Sequence, residues 1–154
     1  MYEKFGQFID GKWQPSEKKE TYDVINPATE EVLGHASKAS PVDVDKALKA
    51  AEKGLTVWKK TPPWQRSYII RRIADKMREK QDVLAKWMTL EVGKPFAEAK
   101  GEVVGAADIF EWNAEETKRI YGQTVESRFE DTRVHVYYQP VGVVAALSPW
   151  NFPL

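Results

Sequence analysis

Asn151 stands in the run Ser148-Pro149-Trp150-Asn151-Phe152-Pro153, directly after the apolar stretch Val141-Gly142-Val143-Val144-Ala145-Ala146-Leu147. The flanking prolines restrict the backbone on both sides of it. An apolar run without alternation is the pattern of a strand covered on both faces, and open α/β sheets bind ligands beyond the carboxyl ends of their strands. A carboxamide held there donates from its NH2 to negative charge developing on an oxygen, and brings no charge of its own. A turn asparagine that bonds its own backbone explains the same residue. Trp150 and Phe152 read equally well as packing or as walls for a ligand.

The other chemistry-bearing residues point less far. His35 and His135 are the only histidines, lie 100 positions apart and have no cysteine beside them, so no metal site is predicted. Glu91, Glu98 and Glu102 invite an acid–base reading, with the last two on one helix face, but solvation of a helix accounts for them. The basic residues between Arg66 and Lys80 are interrupted by Asp75 and Glu79. The chain balances 23 Lys+Arg against 23 Asp+Glu, which argues against a nucleic-acid track. No glycine-rich phosphate loop follows a strand, since Gly142 stands alone at the start of the apolar run rather than after it. With no cysteine there is no disulfide framework, no cysteine zinc site and no thiol nucleophile in this chain.

The elements that must position Asn151 follow from periodicity. A length of 154 residues suits one hydrophobic core. Asp10-Gly11 between Phe8-Ile9 and Lys12-Trp13 predicts a type I′ hairpin. Tyr22, Val24 and Ile25 lead into the turn Asn26-Pro27-Ala28-Thr29, and Val32-Leu33 resumes an extended chain, as a second hairpin or an edging pair. Ser40, Pro41 and Asp43 open a first helix, with Val44, Leu48, Ala51, Leu55 and Trp58 on its buried face. Thr61-Pro62-Pro63 separates it from a second, whose apolar face is Ile69, Ile70, Ile73, Ala74 and Met77 and whose arginines and lysines, Arg71 and Arg78 among them, face water. A third covers Asp82 to Glu91 with Val83, Leu84, Trp87 and Met88 inward, ended by Gly93. The fourth carries the stripe Val103, Ala107, Phe110, Ala114, Thr117 and Tyr121, with Gly101 and Gly105 allowing close approach of another backbone and Gly122 as terminator. From Arg133 to Gln139 the period becomes 2, and the covered strand 141–147 follows.

One covered strand after four helices has no partner for its ladder, which predicts that other residues complete the fold; a small α+β domain with this strand at its edge is the alternative. No apolar run is long enough for a membrane span, and Met1 to Asp10 lacks the features of a signal peptide, which suggests a cytoplasmic protein.

Four segments carry a resemblance: Phe8-Ile9-Asp10-Gly11-Lys12-Trp13, Asn26-Pro27-Ala28-Thr29, Leu90-Glu91-Val92-Gly93-Lys94-Pro95 and Pro149-Trp150-Asn151-Phe152-Pro153. In this order and spacing the chain resembles the amino-terminal third of the aldehyde dehydrogenase superfamily. Phe110 to Glu116 and Arg119 to Gly122 look most like its succinate-semialdehyde dehydrogenase branch. The resemblance implies the N-terminal part of that α/β fold: short strands, about four helices, the start of an oligomerisation sheet and the first strand of a Rossmann-like sheet. Residues 1–122 would belong to the NAD(P)-binding domain, 123–140 to the oligomerisation sheet, and 141–154 to the first parallel strand and oxyanion-hole loop.

What the resemblance implies for chemistry is oxidation of an aldehyde to an acid with NAD or NADP. It proceeds through a cysteine thiohemiacetal and thioester. Asn151 matches the oxyanion-hole asparagine, and Leu147, Ser148, Pro149 and Trp150 match the stretch beside the dinucleotide. Lys100, Val104 and Phe152 match positions that line the aldehyde tunnel in some members. The implied partners are the remainder of the enzyme and further copies in a homodimer or homotetramer. Without a cysteine the chain is expected to be inactive alone, and a non-catalytic assembly or binding module is the competing reading.

Overall fold

The Asp-Gly pair turns the chain as its sequence predicts. Strand β1 (Gln7–Ile9) pairs antiparallel with β2 (Lys12–Gln14), and Asp10 and Gly11 take positive φ angles of 51° and 77°. The structure is a computed structural model and describes residues 6–154; the start of the segment read above for targeting features, residues 1–5, lies outside the described residues. Strands β3 (Thr21–Ile25) and β4 (Val32–Ser37) form a second antiparallel hairpin, with an irregularity at Val24/Ile25. Asn26 shapes the turn between them by accepting the Ala28 N–H at 3.0 Å on its side chain.

Helix α1 (Pro41–Trp58) starts at a capping box between Ser40 and Asp43. The buried Asp43 carboxylate accepts from the Ser40 N–H and hydroxyl, both at 2.8 Å, and from the Glu17 N–H at 3.0 Å. These bonds, the Ser40 N–H foremost, hold its carboxyl below the usual range and tie the 15–20 loop to the helix. The predicted buried stripe of α1 is not buried. Val44, Leu48, Ala51 and Trp58 are exposed and Leu55 is half-buried. The reason is positional, because the principal neighbour of α1 is β1 and not the other helices.

Helices α2 (Pro63–Glu79), α3 (Gln81–Val92) and α4 (Phe96–Glu116) make the core. It is built from Ala74, Met77, Ala85, Met88, Ala99, Val103, Ala106 and Ala107, with Leu84 packed against it. So many alanines let the helix axes approach closely, and Val103 is the largest fully buried side chain among the described residues. On α2 the roll differs from the expectation. Ile69 and Ile73 are exposed beside Arg72 and Lys76, while Arg71 and Arg78 turn toward α4 and its carboxylates. Val83 of α3 is also half exposed rather than inward.

Gly93 closes α3 in the left-handed region at φ 76°, and a Cβ there would lie 3.1 Å from Pro27 Cγ. The predicted stripe of α4 is buried at Val103, Ala107 and Ala114, but Phe110 in its middle is exposed and so is its end. The helix stops at Glu116, a 3-10 turn spans Thr117–Arg119, and Tyr121 is exposed. Gly122 therefore does not end the helix; it lets the chain pass Val136, whose carbonyl oxygen would be 2.6 Å from an added Cβ. Gly101 and Gly105 face away from the core, and nothing lies within 4 Å of either position's Cβ.

Strands β5 (Gln123–Glu126) and β6 (Arg133–Val136) form a third hairpin, exposed on both faces. It is shorter than the alternating run predicted, so Tyr138 lies beyond it. Segment 141–147 is a clear departure: it forms no strand, and Val141 and Leu147 are 92% and 94% exposed. No described residue offers it a ladder, and without one an extended chain stays hydrated. No described helix is long and apolar enough to cross a membrane.

Candidate active site

The turn that carries Asn151 is held by a corner 57 residues away in sequence. Gly93 ends α3, Pro95 precedes α4, and Lys94 between them is free of both helices. Its side chain is only 12% exposed. The ammonium pairs with Glu102, donates to the main-chain oxygen of Asn151 at 2.7 Å and lies 4.1 Å from the Phe152 ring centroid. Glu102, 7% exposed, uses its other oxygen to accept the Leu154 N–H at 3.2 Å. The Phe152 N–H donates to the Pro149 carbonyl at 3.2 Å and closes the turn on itself.

One ammonium and one carboxylate thus satisfy each other and two main-chain groups of the turn. The pair brings no net charge to it. The Asn151 carboxamide makes no hydrogen bond with a described residue and is exposed, so the self-bonded turn asparagine is not what forms. A free NH2 on a tethered main chain is what an oxyanion donor requires.

The remaining candidates divide by place. Leu147, Ser148, Pro149 and Trp150 run along the same exposed edge as Asn151, and Phe152 lies beneath the Lys94 ammonium. Lys100 and Val104 are on α4 but about 200° round the helix from Glu102, two residues away from each. Lys100 pairs with Asp82 at 2.7 Å and lies over Phe96 at 5.8 Å, and Val104 is partly exposed. The structure therefore gathers 147–152 with Lys94 and Glu102, and leaves Lys100 and Val104 on the other flank. The histidines stand apart, His35 bonded to Asp23 at 2.8 Å and His135 to Thr124 at 3.1 Å.

Sequence reasoning did not foresee that Lys94 and Glu102 hold this turn, and Glu102 does not solvate its helix as expected. A signal existed. Glu102 lies on the ridge of Ala99, Val103 and Ala106, three and four residues apart, where a carboxylate is drawn into the core's edge and needs a cation.

Two of the segments that carried the resemblance meet in this turn, Gly93-Lys94-Pro95 and Pro149 to Pro153, with Pro27 of a third against Gly93. The sequence model of the aldehyde dehydrogenase family matches residues 13–154. The chain belongs to the aldehyde dehydrogenase family. It is 47% identical over 146 residues to a glutarate-semialdehyde dehydrogenase of Pseudomonas putida, covering 95% of this chain and 30% of that protein. It is 46% identical over 145 residues to the NADP(+) succinate-semialdehyde dehydrogenase of Escherichia coli, covering 94% and 30%. Among solved structures, a succinate-semialdehyde dehydrogenase from Burkholderia pseudomallei superposes with a TM-score of 0.91 at 40% identity, over 95% of this chain and 30% of that one. The chain spans about a third of the length of these aldehyde dehydrogenases, and its helices and hairpins are those of their amino-terminal part.

Proposed function

We propose that these residues are the oxyanion-hole portion of an NAD(P)-dependent aldehyde dehydrogenase acting on a semialdehyde such as succinate or glutarate semialdehyde. The observation that carries this reading is the Asn151 carboxamide, unbonded within the chain while its main chain is tied to the Lys94–Glu102 pair. A thiol supplied by residues outside these 154 adds to the aldehyde carbon. The carbonyl oxygen becomes an alkoxide, and the Asn151 NH2 donates to it as the charge appears. The oxygen regains its double bond as a hydride leaves the carbon, giving a thioester. Water then releases the acid and returns the thiol.

Leu147, Ser148 and Trp150 are exposed and make no hydrogen bond with the described residues, so their backbone groups and the indole face suit a dinucleotide lying along this edge. Bound NAD or NADP would supply the hydride acceptor. The exposed hairpin of β5 and β6 suits pairing between copies in a homodimer or homotetramer. On this reading the 154 residues alone turn over no aldehyde, because an amide donor provides neither nucleophile nor hydride acceptor.

The test is Asn151→Ala in the complete enzyme. Loss of one oxyanion donor lowers kcat/KM for the aldehyde about a hundredfold or more. Unchanged kcat/KM would remove Asn151 from the role.

A further inference from the structure

We infer that Lys94 is a positioning residue for the oxyanion site, with Glu102 pairing with it and fixing its direction; this rests on the reading of Asn151 as the oxyanion donor. The carboxamide has no side-chain partner, so the direction of its NH2 is set by the main chain of the turn alone. That main chain is tied down through Asn151 itself, by the Lys94 ammonium on its carbonyl, and three residues on, by Glu102 on the Leu154 N–H. The same ammonium sits over the Phe152 ring, which fixes the residue next to the donor. Three ties at and just after one residue are more than a surface turn needs.

Geometry also says why the pair is a lysine and a glutamate. A charge-assisted bond to the Asn151 carbonyl is stronger than one from a neutral donor, and the ammonium that makes it would be costly to bury without the Glu102 carboxylate. Neutralised by Glu102 and aimed at a main-chain oxygen, Lys94 does not compete with Asn151 for the substrate. It acts through the turn. Misplacement of a reacting group by a fraction of an ångström to one ångström is the scale on which such a support is felt, and it costs up to about a hundredfold.

The experiment compares Lys94→Met, Lys94→Arg, Glu102→Gln and Asn151→Ala in the complete enzyme, with single-turnover acylation as the readout. Lys94→Met is expected to slow acylation about tenfold. The KM values for aldehyde and dinucleotide should stay within about twofold, because ground-state binding is untouched. Lys94→Arg should recover most of the rate, since a guanidinium can still donate to the carbonyl. The double variant Lys94→Met/Asn151→Ala should be no slower than Asn151→Ala, as expected when one residue acts only through the other.

A Lys94→Met enzyme with normal acylation, or a double variant slowed by the product of the two effects, overturns the inference while leaving the Asn151 reading intact. Normal acylation in Asn151→Ala overturns both. Where Lys94→Met fails to fold, amide hydrogen exchange in Glu102→Gln decides. Exchange at Phe152 and Leu154 should rise severalfold while Ala106 and Ala107 keep their protection; equal protection of the turn overturns the inference.

Discussion

Helix α4 carries a cluster of opposite charges near each end, and the two differ in what surrounds them. Toward its C-terminal half, Arg71 and Arg78 of α2 reach Glu111, Glu115 and Asp108, with bonds of 2.6 Å to Glu111 from Arg71 and 2.7 Å to Asp108 from Arg78. All five side chains are a third or more exposed, or nearly so, and every one but Asp108 has at least two partners. Toward its N-terminal half, Lys94 and Glu102 are almost wholly buried and have each other and the 149–154 turn. The first cluster is a redundant clasp between two helices that already pack through alanines. The second is a single pair bonded to the main chain of the turn that carries Asn151. Equal charge chemistry therefore has unequal consequences, because water replaces a lost partner in one place and cannot in the other.

The largest effect that would break this comparison is on stability. Lys94→Met leaves the Glu102 carboxylate buried without its cation and should cost the folded chain about 3–5 kcal/mol. Removing both charges together, in Lys94→Met/Glu102→Leu, should recover most of that loss, since no orphan charge remains. Urea unfolding of the three proteins measures it. Arg71→Met, made in the shared cluster, should shift the midpoint much less. If the two single variants lose equal stability, the distinction between clasp and support is wrong.

An intermediate effect is expected in the packing between the clusters. Val103 neighbours Glu102 in sequence and is fully buried, so Val103→Ala should cost about 2 kcal/mol in the same urea assay. The sharper outcome is coupling. Combined with Lys94→Met the loss should depart from additivity, and combined with Arg71→Met it should add, because Val103 adjoins Lys94's partner Glu102 on α4 whereas Arg71's partners Glu111 and Glu115 lie two turns and more further along.

Local chemistry in this molecule was legible from the residues, and what depends on neighbours was not. The Asp10-Gly11 turn, the Ser40–Asp43 cap and the left-handed Gly93 each involve a few adjacent residues, and each forms as read. Four helices follow from periodicity, and the resemblance of four short segments pointed to the family whose model matches. The roll of α2 was not legible, because Arg71 and Arg78 are drawn toward carboxylates forty and thirty-three residues away, and the period alone assigned them to water. The faces of α1 and of 141–147 read as buried because they are apolar. Burial requires something to cover them, and among the described residues nothing does. At the candidate site, the turn between Pro149 and Pro153 was legible from its two prolines. Lys94 and Glu102 were not, since their meeting depends on the α3–α4 corner and on the return of the chain from residue 149.

The smallest expected effect separates the clusters by acid. Glu115 is held down to about 2 from an ordinary value of 4.5, first by the Lys118 ammonium and then by the Arg71 guanidinium. Glu111 is lowered too, first by Arg78 and then by Arg71. A carboxyl whose pKa is depressed by folding stabilises the folded state fully above its unfolded value, and that contribution is lost as pH falls through the folded value. The clasp should therefore weaken between about pH 4.5 and 2 and be unchanged from pH 5 to 8. Urea midpoints of the chain across this range should fall on the acid side, and Glu115→Gln should flatten part of that fall while starting lower at neutral pH. Because these groups are partly exposed, added salt should shrink the difference between Glu115→Gln and the parent at pH 7. The same salt should leave the loss caused by Lys94→Met nearly unchanged, since the pair it breaks is shielded from ions by the turn it holds.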